Sequence, residues 1–264
     1  MEIKDNIKII FVDFDWTIYD HNKKDFDFES ISALKKAQQK GIKIFLATAR
    51  SYDSILDMGF FDLIEPDGII ACNGSVIFYE NRIIHANFIP KEIAEKLCKE
   101  AVKHHCNVEV TGPKHRYVVS KRSNYLDKVY ELFYDKKPTY HKIDDQPICT
   151  MLFIGPSKYD DYMKATQPEG MHFERFFDLG ADMSFTEGSK GLAVDFVLKH
   201  LDIDVNNTLS FGDSWLDVSM FEHTKYSVCL GNAKDEIKQK ASYVADSVSN
   251  SGVAKVINEY LNNN

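Results

Sequence analysis

The stretch Ile7-Lys8-Ile9-Ile10-Phe11-Val12-Asp13-Phe14-Asp15-Trp16-Thr17 decides the fold class. Its first six residues form a short, nearly continuous apolar run, the pattern of a parallel-sheet strand covered on both faces. The run stops at two aspartates two positions apart, Asp13 and Asp15. A turn directly after the strand would bring both carboxylates toward one site, and Thr17 is placed to shape it. Moving outward, Ile31, Leu34 and Ala37 recur every third residue from Ser30 to Lys40, and Gly41 follows where a helix cap would sit. Ile42–Ala47 predicts a second strand ending in Thr48-Ala49-Arg50, and Gly68–Ala71 a third ending at Asn73-Gly74. The same grammar resumes near the carboxyl terminus. Lys190–Leu201 carries Ala193, Val194, Val197, Leu198 and Leu201 on one helical face. Thr208–Phe211 then runs into Gly212-Asp213, Tyr226–Leu230 into Gly231-Asn232, and Tyr243–Ala245 supplies a sixth short strand. The expectation is an α/β fold, a doubly wound and mainly parallel Rossmann-like sheet.

Between about Tyr79 and Phe185 the style changes to alternating runs. Strands are predicted at Arg82–Phe88, Val108–Thr111, Tyr117–Ser120, Thr150–Ile154, His172–Phe177 and Met183–Thr186, with helices at Pro90–His105 and Ser123–Tyr134 and room for a third. This reads as an α+β domain inserted into the first: residues 1–79 and 187–264 form the core, and 80–186 the insertion. A length of 264 residues allows one large or two ordinary domains at about 150 residues each. A composition of 44% hydrophobic and 27% charged residues fits a globular chain and excludes a disordered or fibrous one.

The formal charge, 32 − 40 = −8, offers no global field for nucleic acid or an anionic membrane. No apolar run approaches the roughly 18 residues of a membrane-spanning helix. The segment Met1–Asp5 lacks the basic and apolar regions of a signal peptide, so a cytoplasmic location is expected. Cys72, Cys98, Cys106, Cys149 and Cys229 are odd in number, scattered and without a C-x-x-C pair. They are expected to be reduced packing residues rather than a disulfide or zinc framework.

Doubly wound sheets bind ligands outside the carboxyl ends of their strands. Those ends carry Asp13, Asp15, Thr48, Asn73, Asp213 and Asn232. Carboxylates gathered there repel unless a cation compensates, and an oxygen-only set from Asp13, Asp213 and Asp217 suits magnesium. Taken singly, each residue has an ordinary explanation: Asp13 as a strand end, Asp213 and Asp217 at a helix amino terminus, Asn73 and Asn232 in turns, Lys190 as a solvated helix lysine. His104-His105-Cys106 reads as a solvated helix end, and Lys114, His115, Arg116, Lys121 and Arg122 as a solvated hairpin. Phe176 and Phe177 read as core of the insertion.

Asp13-Phe14-Asp15-Trp16-Thr17, then Thr48, then Lys190, then Gly212-Asp213-Ser214-Trp215-Leu216-Asp217 resembles the four-motif signature of haloacid dehalogenase-like phosphatases. The insertion, with Asn73-Gly74, Ser189-Lys190-Gly191 and Gly231-Asn232-Ala233, resembles the Cof type with its large α/β cap, type IIB. The resemblance implies that Asp13 is a nucleophile forming an aspartyl-phosphate and that Asp15 is the general acid and base. It implies phosphoryl and substrate contacts from Thr48, Ala49, Asn73, Lys190 and Asn232. Magnesium would be held by Asp13, the Asp15 backbone carbonyl and Asp213, with Asp217 binding directly or through water. The implied partner is a small phosphorylated metabolite, and no protein partner can be read. Two positions depart from the pattern: Trp16 stands where glycine is usual, and Leu216 where asparagine is usual. A phosphomutase using the same intermediate, or a phospho-accepting receiver module, is the alternative function.

Overall fold

The computed structural model describes residue 3 and residues 6–113, 115–133, 139–185 and 188–263. The chain divides into two compact units: Met1–Ala49, Phe61–Ile84 and Ser189–Asn264 form one, and Arg50–Phe60 with His85–Gly188 form the other.

The first unit is built on an eight-stranded sheet. Its order is Tyr243–Val244, Tyr226–Cys229, Thr208–Gly212, Ile9–Val12, Lys43–Ala47, Gly68–Ala71, Val76–Tyr79 and Arg82–Ala86. The first six run parallel, and Val76–Tyr79 turns back antiparallel on Gly68–Ala71. Ile9, Ile10, Phe11 and Val12 are all buried, as a continuous apolar run on a central strand requires. One face packs on Ala193, Val194, Val197 and Leu198 of helix Lys190–Leu201 and on Met220 and Phe221 of helix Trp215–Glu222. Helices Phe28–Gln39 and Gly252–Asn263 pack against each other.

The predicted strand Arg82–Phe88 belongs elsewhere than the sequence suggests. It is observed as Arg82–Ala86, at the edge of the eight-stranded sheet rather than within the insertion. The cause is a two-residue turn, Glu80-Asn81, with φ of 49° and 60°. Positive φ at both central residues gives the twist that closes a tight hairpin, so Arg82 returns beside Val76–Tyr79.

The second unit carries an all-antiparallel five-stranded sheet in the order Met171–Phe177, Gly180–Phe185, Thr150–Ile154, Asn107–Thr111, Arg116–Val118. Helices Lys91–Lys103 and Asp160–Thr166 cover one face through Ala94, Leu97, Cys98, Ala101 and Met163. Leu126 and Val129 of helix Asn124–Phe133 cover Leu152 and Ile154 on the other. Arg116 is no solvated hairpin residue: its side chain is 9% exposed, and its guanidinium lies 3.4 Å from Asp53 and 3.8 Å from Asp57. These pairs help to group Arg50–Phe60, which the sequence assigns to the core, with the inserted unit. His104 likewise departs from a solvated helix end. Its ring packs 4.9 Å from Tyr159 and 4.4 Å from Tyr162, and Nε2 lies 2.9 Å from Glu100. Lys114, Tyr134, Thr186 and the side chains of Phe176 and Phe177 lie outside the described residues.

All five cysteines are buried and free, as expected, and burial pushes the Cys98 and Cys229 thiols up to about 12. Among the described residues no helix is long and apolar enough to cross a membrane.

Gly74 stands where Gly68–Ala71 gives way to the turn, at φ 98°. A Cβ there would lie 2.4 Å from the Ser189 carbonyl oxygen, which is backbone and cannot rotate aside. Gly74→Ala is therefore expected to cost about 2–4 kcal/mol in urea unfolding, by displacing Ser189 and Lys190. An unchanged urea midpoint would contradict this account.

Candidate active site

The parallel register puts the carboxyl ends of Ile9–Val12 and Thr208–Gly212 side by side, Val12 opposite Phe211, so the segments that follow them meet. The Asp13 N–H still donates to the Phe211 carbonyl at 3.0 Å, and the chain then turns. Ile18 and Tyr19 both donate to the Phe14 carbonyl at 3.0 Å, and Trp16 sits at φ 60°. The expected turn after the first strand is present. Thr17 Oγ1 donates to Asp13 Oδ2 at 3.3 Å.

Asp213 and Ser214 open helix Trp215–Glu222, whose amino terminus is closed by a capping box of Ser214 and Asp217. Asp217 Oδ2 accepts from the backbone N–H of Asp213 at 3.0 Å, from that of Ser214 at 2.9 Å and from Ser214 Oγ at 2.8 Å. Gly212 makes this fold-back possible, because a Cβ there would lie 2.5 Å from the Asp217 side chain. Lys190 is the first residue of its helix, capped by Ser189, whose hydroxyl accepts from the Leu192 N–H. Its ammonium, 1% exposed, donates to Asp13 Oδ1 and to Asp217 Oδ1, each at 2.6 Å. This is no solvated helix lysine; a charge so buried persists only when paired.

Asp13, Asp213 and Asp217 each present a carboxylate oxygen within 4.8 Å of the others. When ionised they set three negative charges against the Lys190 ammonium, 1 − 3 = −2. The donor set is all oxygen, which fits a hard divalent cation such as magnesium. Asp217 accepts three hydrogen bonds on Oδ2 and one, from Lys190, on Oδ1. Without a cation, protons fill the deficit. Burial, with the Asp217 charge next, pushes Asp13 up to about 7. Burial and the charges of Asp13 and Asp217 push Asp213 up to about 9. Burial alone would lower Lys190, but the Asp13 and Asp217 charges outweigh it and raise it.

Thr48 is buried at the end of Lys43–Ala47, and its carbonyl accepts from the Asn73 N–H at 2.9 Å, so these two candidates lie side by side. Asn73 is buried at φ 54°, and its Oδ1 has no hydrogen-bond partner among the described residues. Ala49 is exposed. Asn232 is turned to the protein: Nδ2 donates to the Trp16 carbonyl at 3.0 Å and to Asp213 Oδ2 at 3.2 Å, while Oδ1 accepts from Val248 N–H. Its contacts tie the Trp16 turn to Asp213. Leu216 is half-buried, and nothing in the structure explains it in place of asparagine. One participant was not legible in the sequence: His21 Nε2 lies 2.6 Å from Asp15 Oδ1. Only its position six residues after Asp15, in a hairpin that returns, could have signalled it.

The family described as haloacid dehalogenase-like hydrolase matches residues 10–257. YkrA of Bacillus subtilis (strain 168) is 28% identical over 264 residues, spanning 96% of this chain and 97% of its own. Phosphoglycolate phosphatase 1 of Saccharolobus solfataricus is 23% identical, spanning 97% of this chain and 96% of its own. The solved structure of a sugar phosphatase of subclass IIB of the superfamily, BT4131, shares the fold at TM-score 0.81 and 24% identity, over 96% of this chain and 98% of that one. The chain belongs to the haloacid dehalogenase-like hydrolase family, as an enzyme among its Cof-type phosphatases.

The raised carboxyls give a signed prediction. From about pH 4 to about pH 9 the cation-free folded site holds protons that the unfolded chain, near 3.8, has released. Their contribution to stability therefore falls as pH rises through that window. A cation must displace those protons, so the rise in melting temperature on adding magnesium chloride to chelator-treated protein should be larger at about pH 9 than at about pH 6. An equal rise at both would contradict the charge balance proposed here, and Asp213→Asn should flatten the dependence.

Proposed function

We propose that the chain is a magnesium-dependent phosphomonoesterase acting on a small phosphorylated metabolite through an aspartyl-phosphate on Asp13. The observation that carries this reading is the buried Lys190 ammonium held 2.6 Å from both Asp13 and Asp217, beside Asp213. Asp13, Asp213 and the Asp15 carbonyl would hold the cation, with Asp217 positioning Lys190 and the helix turn around them. The cation supplies positive charge that offsets the phosphoryl oxygens next to a carboxylate nucleophile.

Lys190 fixes one Asp13 oxygen and Thr17 engages the other, so the carboxylate is oriented before substrate arrives. In the first half-reaction an Asp13 oxygen bonds to phosphorus as the bond from phosphorus to the leaving oxygen breaks, and Asp15 gives that oxygen its proton. In the second, Asp15 takes a proton from water as the water oxygen attacks phosphorus, and Asp13 is released. Lys190 and Thr48 face the phosphoryl group as donors. The unsatisfied Asn73 Oδ1 supports a contact to a substrate hydroxyl, because a buried acceptor without a donor costs about 1–3 kcal/mol until one is supplied. Asp15 and the inserted unit favour hydrolysis over a receiver module, which needs neither. The names of the relatives favour a phosphorylated acid or sugar as substrate.

The test is magnesium-dependent phosphate release over a panel of phosphorylated metabolites, with Asp13→Asn as the blank. Asp13→Asn should lose at least about a thousandfold in kcat while keeping its fold by circular dichroism. Substantial metal-dependent hydrolysis by Asp13→Asn would overturn the mechanism.

A further inference from the structure

Three features around Asp15 have no part in the chemistry described so far. His21 Nε2 lies 2.6 Å from Asp15 Oδ1, and the imidazole is 14% exposed. Its ring centroid is 4.9 Å from that of Trp16, at 36°, and 4.9 Å from that of Tyr19, edge to face at 81°. Trp16 occupies φ 60°, a left-handed backbone that glycine adopts without strain and a bulky side chain does not. A tryptophan at the position where the resembling enzymes carry glycine is thus costly for the backbone. Strain of this kind persists where the surroundings over-determine it. Here the residue that bears it also supplies, through its ring, one wall of the His21 slot.

We propose that His21 is a positioning residue for Asp15, and that Trp16 and Tyr19 are the clamp that holds it. The inference rests on the reading of Asp15 as general acid and base. A carboxyl delivers its proton along a direction set by its rotation about the side chain, and the 2.6 Å contact fixes that rotation. In the first half-reaction the phosphorus–oxygen bond to the leaving group breaks while the Asp13–phosphorus bond forms. The Asp15 proton passes to the leaving oxygen. The unit Trp16–His21–Asp15 also gives the tryptophan a role: a glycine there would relax the turn but leave the imidazole open on one side.

The test separates positioning from general damage by the leaving group. The value of kcat/KM reports transfer to Asp13, before the common second half-reaction. Phenolate, with a conjugate-acid pKa of about 10, needs the Asp15 proton, whereas the far less basic nitrophenolate leaves without it. His21→Phe retains a ring between Trp16 and Tyr19 but no hydrogen bond. It is expected to lose about thirtyfold in kcat/KM on phenyl phosphate and less than about threefold on p-nitrophenyl phosphate. His21→Gln, which keeps a donor, should recover most of that loss, and adding His21→Phe to Asp15→Asn should cost nothing further. If His21→Phe fails to fold, His21→Ala takes its place in the same comparison. Equal losses on the two esters, or no loss, with Asp13→Asn inactive, would overturn the role of His21 and leave the mechanism standing. Turnover by Asp13→Asn would overturn the mechanism on which it rests.

Discussion

The Lys190 ammonium, buried between Asp13 and Asp217, is the constraint around which the first unit is arranged. A lysine that is 1% exposed must have its charge matched at short range. Two carboxylates from different segments supply the match, so three stretches of chain far apart in sequence are bound to one point. Parallel pairing of Ile9–Val12 with Thr208–Gly212 brings two of them together, and the amino terminus of helix Lys190–Leu201 delivers the third. The donors outnumber the cation: one ammonium is paired with Asp13 and Asp217, and Asp213 adds a third carboxylate that shares the same Lys190 charge. A site left electronegative in this way suits a hard divalent cation. The acidic balance of the whole chain disfavours polyanions at long range, yet a divalent cation would cancel the local charge of three carboxylates and one ammonium, −2 + 2 = 0.

Asp217 shows how one residue can serve the fold and the site together. Its Oδ2 closes the capping box on Ser214 while its Oδ1 holds Lys190, so the first turn of helix Trp215–Glu222 cannot fray without loosening the lysine. The close packing at Gly212 and Gly74 belongs to the same economy of space. Each glycine lets a site segment approach backbone or side chain at a distance that a methyl group would forbid.

Most of the core was legible because its strands are buried on both faces and their ends are marked by polar residues. Gly68–Ala71, Thr150–Ile154 and Lys190–Leu201 have the bounds their apolar patterns predict. The three segments carrying Asp13 with Asp15, Lys190 and Asp213 were legible for the same reason, since each follows or opens a strongly patterned element. The hairpin Val76–Tyr79 to Arg82–Ala86 was not: its turn is Glu80-Asn81, without the glycine that usually signals positive φ, and its outer strand is exposed enough to resemble the insertion. Helix Gly252–Asn263 buries Val253, Val256, Ile257 and Tyr260 at helical spacing and could have been read. Arg116 looked solvated because two of its partners, Asp53 and Asp57, are distant in sequence. His21 was hidden because a single histidine in a polar turn carries no periodicity.

The hairpin that bears His21 is short, two residues to a strand, and such a ribbon has little stability alone. It is held instead by the last segment of the chain. Ser249 Oγ donates to Asp20 Oδ2 at 2.5 Å, Lys23 Nζ to the Ser249 carbonyl at 2.8 Å, and Ser251 Oγ to Asp27 Oδ1 at 2.8 Å. Burial would raise the Asp20 carboxyl, but the Ser249 hydroxyl and the N–H groups of Asn22 and Lys23 outweigh it and hold it below its usual range. Asp20 is therefore a fixed anion at the root of the hairpin, one residue before His21. Ser30, in the first helix, continues the seam by accepting from the Ala254 N–H at 3.1 Å. The turn just before the carboxyl-terminal helix thus fixes the root of the hairpin through Ser249, and the hairpin carries His21 to Asp15. Loss of the Ser249 contacts would loosen the hairpin that carries His21 to Asp15, whereas the Lys190 pairs are made from the strand ends and helix starts of the first unit.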